Sequence, residues 1–178
     1  MEYVSHDPRA KVRAPNLLFL VESFQFAPSL VDELLAKHDM ERSMFANGVY
    51  MPLQNALDLL REVEQRVGPA KLQQMGSKAS QAVVFPTSLD TVEKVLLALD
   101  SIYSLHHRGD VGHYHSRALA DGAIEVRCET PYPRAYEHGI IEGFTLNPSV
   151  AKGQRYLVEY VDGPVGGDLS CICTVRRR

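Results

Sequence analysis

Four of the chain's seven histidines fall within 103-YSLHHRGDVGHYH-115, where a helical pattern gives way to an extended one. Imidazole is the commonest metal ligand and the side chain that titrates nearest neutral pH, so metal binding and ligand binding are the first chemistries to test. His113 and His115, two apart on a strand, point the same way, and Tyr114 between them faces the opposite side. They would supply half of a zinc site. A third ligand would have to come from Glu125, Glu137 or His138, and no spacing such as CxxC or HExxH supports one, so no metal is expected. His106 and His107 stand where a helix presents its last free carbonyls, a position that favours cations. His106 also continues the apolar stripe of that helix, so its polar edge needs a partner inside the protein or on a bound molecule.

Catalytic arrangements are harder to find. The chain has no GxSxG elbow, no Walker loop and no GxGxxG, and 162-DGPVGGD-168 lies between two strands, where a turn explains its glycines. Glu129, Glu137 and Glu142 could move protons, but nothing in their spacing selects a pair, and no enzyme is expected. Cys128, Cys171 and Cys173 are too few for a disulfide framework, which agrees with a reducing compartment. Cys171 and Cys173, two apart on one strand, stand roughly 6.6 Å apart against the usual Cβ separation in a disulfide of about 3.8 Å, and cannot readily bridge each other.

The elements that must position these residues follow from periodicity. Segments 28–40, 52–68 and, more weakly because of Gly76 and its serines, 69–83 carry helical patterns. In 52–68 the stripe is Leu53, Ala56, Leu57, Leu60, Val63 and Val67, stopped by Gly68. The longest helix is expected over 89–107, capped by Thr87 or Ser88 and stopped at Gly109, with Leu89, Val92, Leu96, Leu99, Tyr103 and His106 on one face. Residues 112–129 then read as two strands joined at Asp121-Gly122, 135–147 as a short helix, and 155–161 and 169–177 as closing strands. Helices first and strands second predict an α+β fold, N-terminal helices packed on a C-terminal antiparallel sheet with one short helix inserted between strands. Residues 1–15, polar and with two prolines, are expected to be a flexible arm or a strand that pairs with a partner, and 16–178 a single domain.

A hydrophobic fraction of 45%, a charged fraction of 23% and a formal charge of −3 describe an ordinary globular chain and give no footprint for nucleic acid. The only basic run is the terminal Arg176-Arg177-Arg178. No apolar run approaches the ~20 residues of a membrane helix, and MEYVSHDPRAK lacks the apolar core of a secretion signal, so a cytoplasmic protein without membrane contact is expected.

The order of the later segments is more specific. HHRGDVGHYH, then 131-PYP-133, 139-GIIEG-143 and 166-GGDLSC-171, resembles the 4-vinyl reductase small-molecule-binding domain family, whose fold is related to the haem nitric-oxide-binding domains and to TRAPP tethering subunits. The resemblance covers about residues 85–178. It implies an α+β domain enclosing an apolar pocket, and sensing more than catalysis, since the family's best-understood relatives are sensor domains of bacterial activators that detect aromatic compounds. With no room for an output domain, the chain would act through a partner protein or its own homodimer. Family members commonly hold a structural zinc through cysteines after PYP and in the last two strands. Here Arg134 follows PYP and 158-VEYVDG-163 has no cysteine, which argues against a zinc of the family type and leaves Glu137 with Cys171 and Cys173 as the residual combination. The related haem domains use a helix histidine and a Y-x-S-x-R arrangement; His106 or His107 could serve as the first, while 132-YPR-134 is only a fragment of the second.

The reading drawn from all this is a stand-alone sensor or adaptor that binds a small apolar or aromatic molecule between its long helix and the sheet. The expected ligand-binding residues are Tyr103, His106, Tyr132 and Phe144, with Arg127 as an anchor for an acidic ligand; the cofactor is left unassigned. A haem-based gas sensor and a ligand-free protein interaction module are the alternatives.

Overall fold

The computed structural model describes residues 2–24, 27–162 and 171–178. The glycine-rich loop and most of 166-GGDLSC-171 lie outside the described residues. In chain order come β1 (Lys11–Arg13), a 3-10 turn (Ala14–Leu17), α1 (Leu18–Ser23), α2 (Pro28–Lys37), α3 (Arg42–Asn47), β2 (Tyr50–Pro52), α4 (Leu53–Val67) and α5 (Pro69–Gln81). Then follow α6 (Val92–Leu97), α7 (Leu99–Leu105), β3 (His107–Arg108), β4 (His113–Ala118), β5 (Ile124–Glu129), α8 (Arg134–Leu146), α9 (Pro148–Ala151), β6 (Tyr156–Asp162) and β7 (Cys171–Arg177). This is the expected α+β arrangement: helices lead, and an antiparallel sheet of order β4-β5-β7-β6 closes the chain with α8 and α9 inserted before β6.

Strand alternation sets the two faces of that sheet. On β4 and β5 the inward residues Tyr114, Ile124, Val126 and Cys128 are buried, whereas His113, His115, Arg117 and Arg127 are exposed. Gly122, at φ 82°, turns the β4–β5 hairpin, and Asp121 Oδ1 accepts the Ala123 amide at 3.1 Å. The helical layer is held to the sheet through α8, whose contact with α5 depends on missing side chains. A Cβ on Gly139 would lie 2.0 Å from the Gln73 carbonyl oxygen, and one on Gly143 2.3 Å from that of Ser77. Gly76 from α5 meets Tyr136 in the same way, so a residue that lowers helix propensity is what lets the two backbones approach.

Two expectations change. The long helix is two, broken at Ala98 (φ −94°, ψ 5°), and its N-cap is Thr91, whose hydroxyl accepts the Lys94 amide at 3.3 Å. The N-terminal segment is not an arm. β1 pairs with β2 and β3 in a second small sheet, Val12 and Ala14 are fully buried, and the Tyr3 amide donates to the Pro131 carbonyl oxygen at 2.7 Å. Polar composition concealed this because so short a strand needs only one inward residue, here Val12.

Candidate functional site

α1, the C-terminal half of α5, α7 and α8 line a cavity of about 680 Å³ that is open on one side, a size that suits a drug-sized ligand or cofactor. Phe19, Leu99, Ile102, Tyr136, Ile140 and Phe144 make its apolar wall, and Phe19 and Tyr136 stack at 5.4 Å between ring centroids. Tyr103, His106, Tyr132 and Phe144 all line it. Arg127 does not: as an odd-numbered residue on β5 it projects from the opposite sheet face, into a shallow outer groove beside His115 and Arg117. His113 and His115 are also on the outer face, where they pair with Asp100 (3.3 Å) and Glu129 (3.2 Å) rather than with Glu137 or His138.

The histidine that enters the interior is His107. Sequence periodicity carries the stripe from Leu99 and Tyr103 to His106, but the helix ends at Leu105, and His107, paired with Val12 at the start of β3, is the ring that is buried. The His107 ring lies 3.9 Å from that of Tyr103. Its Nδ1 is 2.7 Å from the Tyr103 carbonyl oxygen, which can only accept, so Nδ1 carries the proton. Nε2 then accepts from the Tyr132 hydroxyl at 2.8 Å. Burial, opposed only in part by the carbonyl bond, pushes the His107 pKa down to about 4 and leaves a neutral ring. His106 is half-buried at the helix end; burial and, secondarily, Arg13 lower its pKa as well. Its Nδ1 is buried without a hydrogen-bond partner, as is Ser80 Oγ on the same cavity wall.

Behind the cavity the polar network continues into the sheet. The Tyr103 hydroxyl donates to the Val111 carbonyl oxygen at 2.7 Å, and the Tyr114 and Thr130 hydroxyls both meet the fully buried Glu137 carboxyl. Burial, reinforced by Cys171, pushes the Glu137 pKa up to about 8, against the lowering effect of those two hydrogen bonds. Next to Glu137, the three cysteines converge. Cys128 and Cys171 are opposite one another on β5 and β7 with sulfur atoms 3.1 Å apart, and Cys171 and Cys173 are 3.8 Å apart. Sequence reasoning missed this grouping by leaving Cys128 aside, although even-numbered inward positions on β5 were readable from Val126 and Ile124.

No family model matches the chain, and no curated protein matches it either. Solved structures do. An H-NOX protein from S. oneidensis in the Fe(II)NO ligation state matches at 16% identity and a TM-score of 0.65, over 93% of this chain and 99% of that one. The NMR structure of a mutant H-NOX domain from Shewanella oneidensis in the Fe(II)CO ligation state matches at 15% identity and a TM-score of 0.70, over 93% and 98% of the two chains. A Tt H-NOX variant matches at 15% identity and a TM-score of 0.59, over 93% and 95%. At such identities the likeness speaks for architecture alone, and it reaches the haem nitric-oxide-binding domains that the sequence resemblance placed beside the 4-vinyl reductase family. The chain has the α+β fold of the H-NOX domains.

Proposed function

We propose that the chain is a sensor domain whose cavity takes a haem and holds it through His107. The observation that carries this reading is the state of that imidazole. Its Nδ1–H is committed to the Tyr103 carbonyl oxygen, the ring is neutral, and the Nε2 lone pair is directed at the Tyr132 hydroxyl beside the cavity. Metal-ligating histidines are commonly oriented and made more basic by just such a carbonyl on the second nitrogen. The fold of the H-NOX structures, which are described in iron ligation states, agrees with it. Tyr103 would hold the ring plane from below, and the aromatic wall from α1 and α8 would keep water from the bound group. A haem there would supply an iron coordination position for a diatomic gas. Lys78 at the cavity rim is the cation that could meet a carboxylate substituent.

A second reading, an apolar or aromatic organic molecule in the same cavity, has its own support. The Tyr132 hydroxyl already occupies Nε2, and among the described residues no arginine lines the cavity to clamp carboxylates. In either reading the chain senses rather than catalyses and signals through a homodimer or a partner protein in the cytoplasm. Leu97 and Leu105, 48% and 72% exposed on α6 and α7, are apolar positions available for that contact. Among the described residues no helix is long and apolar enough to cross a membrane.

Titration of haem into the purified protein, followed at the Soret band, separates the two. A sharp equimolar endpoint with a histidine-ligated spectrum is expected. A chain that takes up no haem, while native mass spectrometry finds an organic molecule bound, would overturn the haem reading in favour of the second.

A further inference from the structure

The geometry points to a second, independent site: Cys128, Cys171, Cys173 and His138 form a thiolate-rich zinc site under α8, in which only Cys171 stands at a position of the family motif and the other three ligands are this chain's own. The three sulfur atoms all lie within 4.8 Å of one another and all three residues are buried. Zinc bound by thiolates at about 2.3 Å in a tetrahedron sets its sulfurs roughly 3.8 Å apart, so the observed 3.1 and 3.8 Å need little adjustment. A disulfide would need about 2.05 Å. Buried cysteines often do no more than pack, as small apolar side chains. Packing gives no reason for three of them, the only cysteines in the chain, to meet at one point.

The fourth ligand comes from α8. His138 Nε2 is buried with no hydrogen-bond partner, a condition that a buried ring nitrogen rarely tolerates. Tyr160, on which the His138 ring stacks, is opposite Cys173 in the β6–β7 register, which sets that ring at the edge of the thiol cluster. Its plane is fixed by stacking on Tyr160 at 3.9 Å between centroids, and the Tyr160 hydroxyl donates to the His138 carbonyl oxygen at 2.9 Å. Glu137, the other candidate, has its carboxyl already engaged by Tyr114 and Thr130. A set of three thiolates and one imidazole selects zinc among the abundant divalent ions, since soft thiolates disfavour magnesium and calcium. Binding displaces the thiol protons to water and leaves a tetrahedral complex of net charge −1. β5, β7 and α8 would then be pinned at one atom, on the inner face of the sheet and next to the carboxyl that receives Tyr114 from the cavity wall.

The test is elemental analysis of the protein purified under reducing conditions, where zinc close to one per chain is expected; iron bound in the cavity is read separately, so failure of either reading is visible on its own. Replacement by cobalt(II) should give thiolate charge-transfer absorption and the strong visible bands of a tetrahedral site. Chelation should lower Tm by on the order of 10 °C. H138A should weaken cobalt binding at least tenfold while leaving the charge-transfer absorption, and H115A, on the outer face, should change neither. Zinc-free protein with three titratable thiols, or a mass lower by two hydrogens from a Cys128–Cys171 disulfide, would overturn the site. Cobalt affinity unchanged in H138A would overturn His138 as its fourth ligand.

Discussion

Removing one oxygen atom, in Tyr132→Phe, should make haem bind more tightly while making the empty protein less stable. The Tyr132 hydroxyl donates to His107 Nε2 at 2.8 Å, and both side chains are buried. Deleting the donor loses a buried hydrogen bond worth about 0.5–1.5 kcal/mol and leaves a buried acceptor unsatisfied, which raises the cost towards 1–3 kcal/mol. A middle value of about 1–2 kcal/mol lowers the Tm of the ligand-free protein by roughly 2–8 °C in a chain of this length. Iron ligation by Nε2 would break the same bond, so wild type would give up that stabilisation on binding and Tyr132→Phe would have nothing to give up. Haem affinity should therefore rise by about 5- to 30-fold, at about 1.4 kcal/mol per factor of ten. Competition against apomyoglobin, together with differential scanning calorimetry of the ligand-free proteins, reads both effects. Haem affinity equal to wild type or weaker, with the calorimetric loss present, would refute the claim that Nε2 is the ligating atom.

Other outcomes follow from the same structure. His107 has a folded pKa of about 4 against about 6.5 unfolded, so between those values the unfolded chain binds the extra proton. The stability of the ligand-free protein should accordingly rise by about 3 kcal/mol in total from pH 4 to pH 6.5, and denaturant titrations of His107→Gln should lose that component. Gly139→Ala places a methyl 2.0 Å from the Gln73 carbonyl oxygen and should cost about 3 kcal/mol or more, seen as a Tm lowered by roughly 6–12 °C. Sedimentation velocity should show a two-fold dimer that Leu105→Lys dissociates without loss of helical circular dichroism; a monomeric wild type would remove the homodimer from the account.

How far the sequence carried depends on whether neighbours or distant segments decide a residue's place. α4, α8 and the β4–β5 hairpin were legible because each is set by its own periodicity and by local stops such as Gly68 and Asp121-Gly122. The small sheet of β1, β2 and β3 was not, since strands of two or three residues carry no period and exist only through pairing with segments far along the chain. The site shows the same division. Tyr103, Tyr132 and Phe144 reach the cavity on apolar patterning and the PYP resemblance. The exchange of His106 for His107 as the more buried ring turns on the helix end at Leu105 and on the pairing of His107 with Val12, a long-range contact that nothing in 89–107 marks. Arg127 was assigned to a ligand although strand alternation from Val126 and Cys128 already set it on the other face. The cysteine grouping needed the β5–β7 register, with Cys128 opposite Cys171, which only the folded sheet supplies.

Haem titration of two single variants asks whether His107 is the residue that holds the bound group. His107→Leu should lose the histidine-ligated Soret band and bind at least a hundredfold more weakly, while His106→Leu should keep the wild-type spectrum and endpoint. Retention of the wild-type spectrum by His107→Leu, or its loss in His106→Leu alone, would contradict the claim.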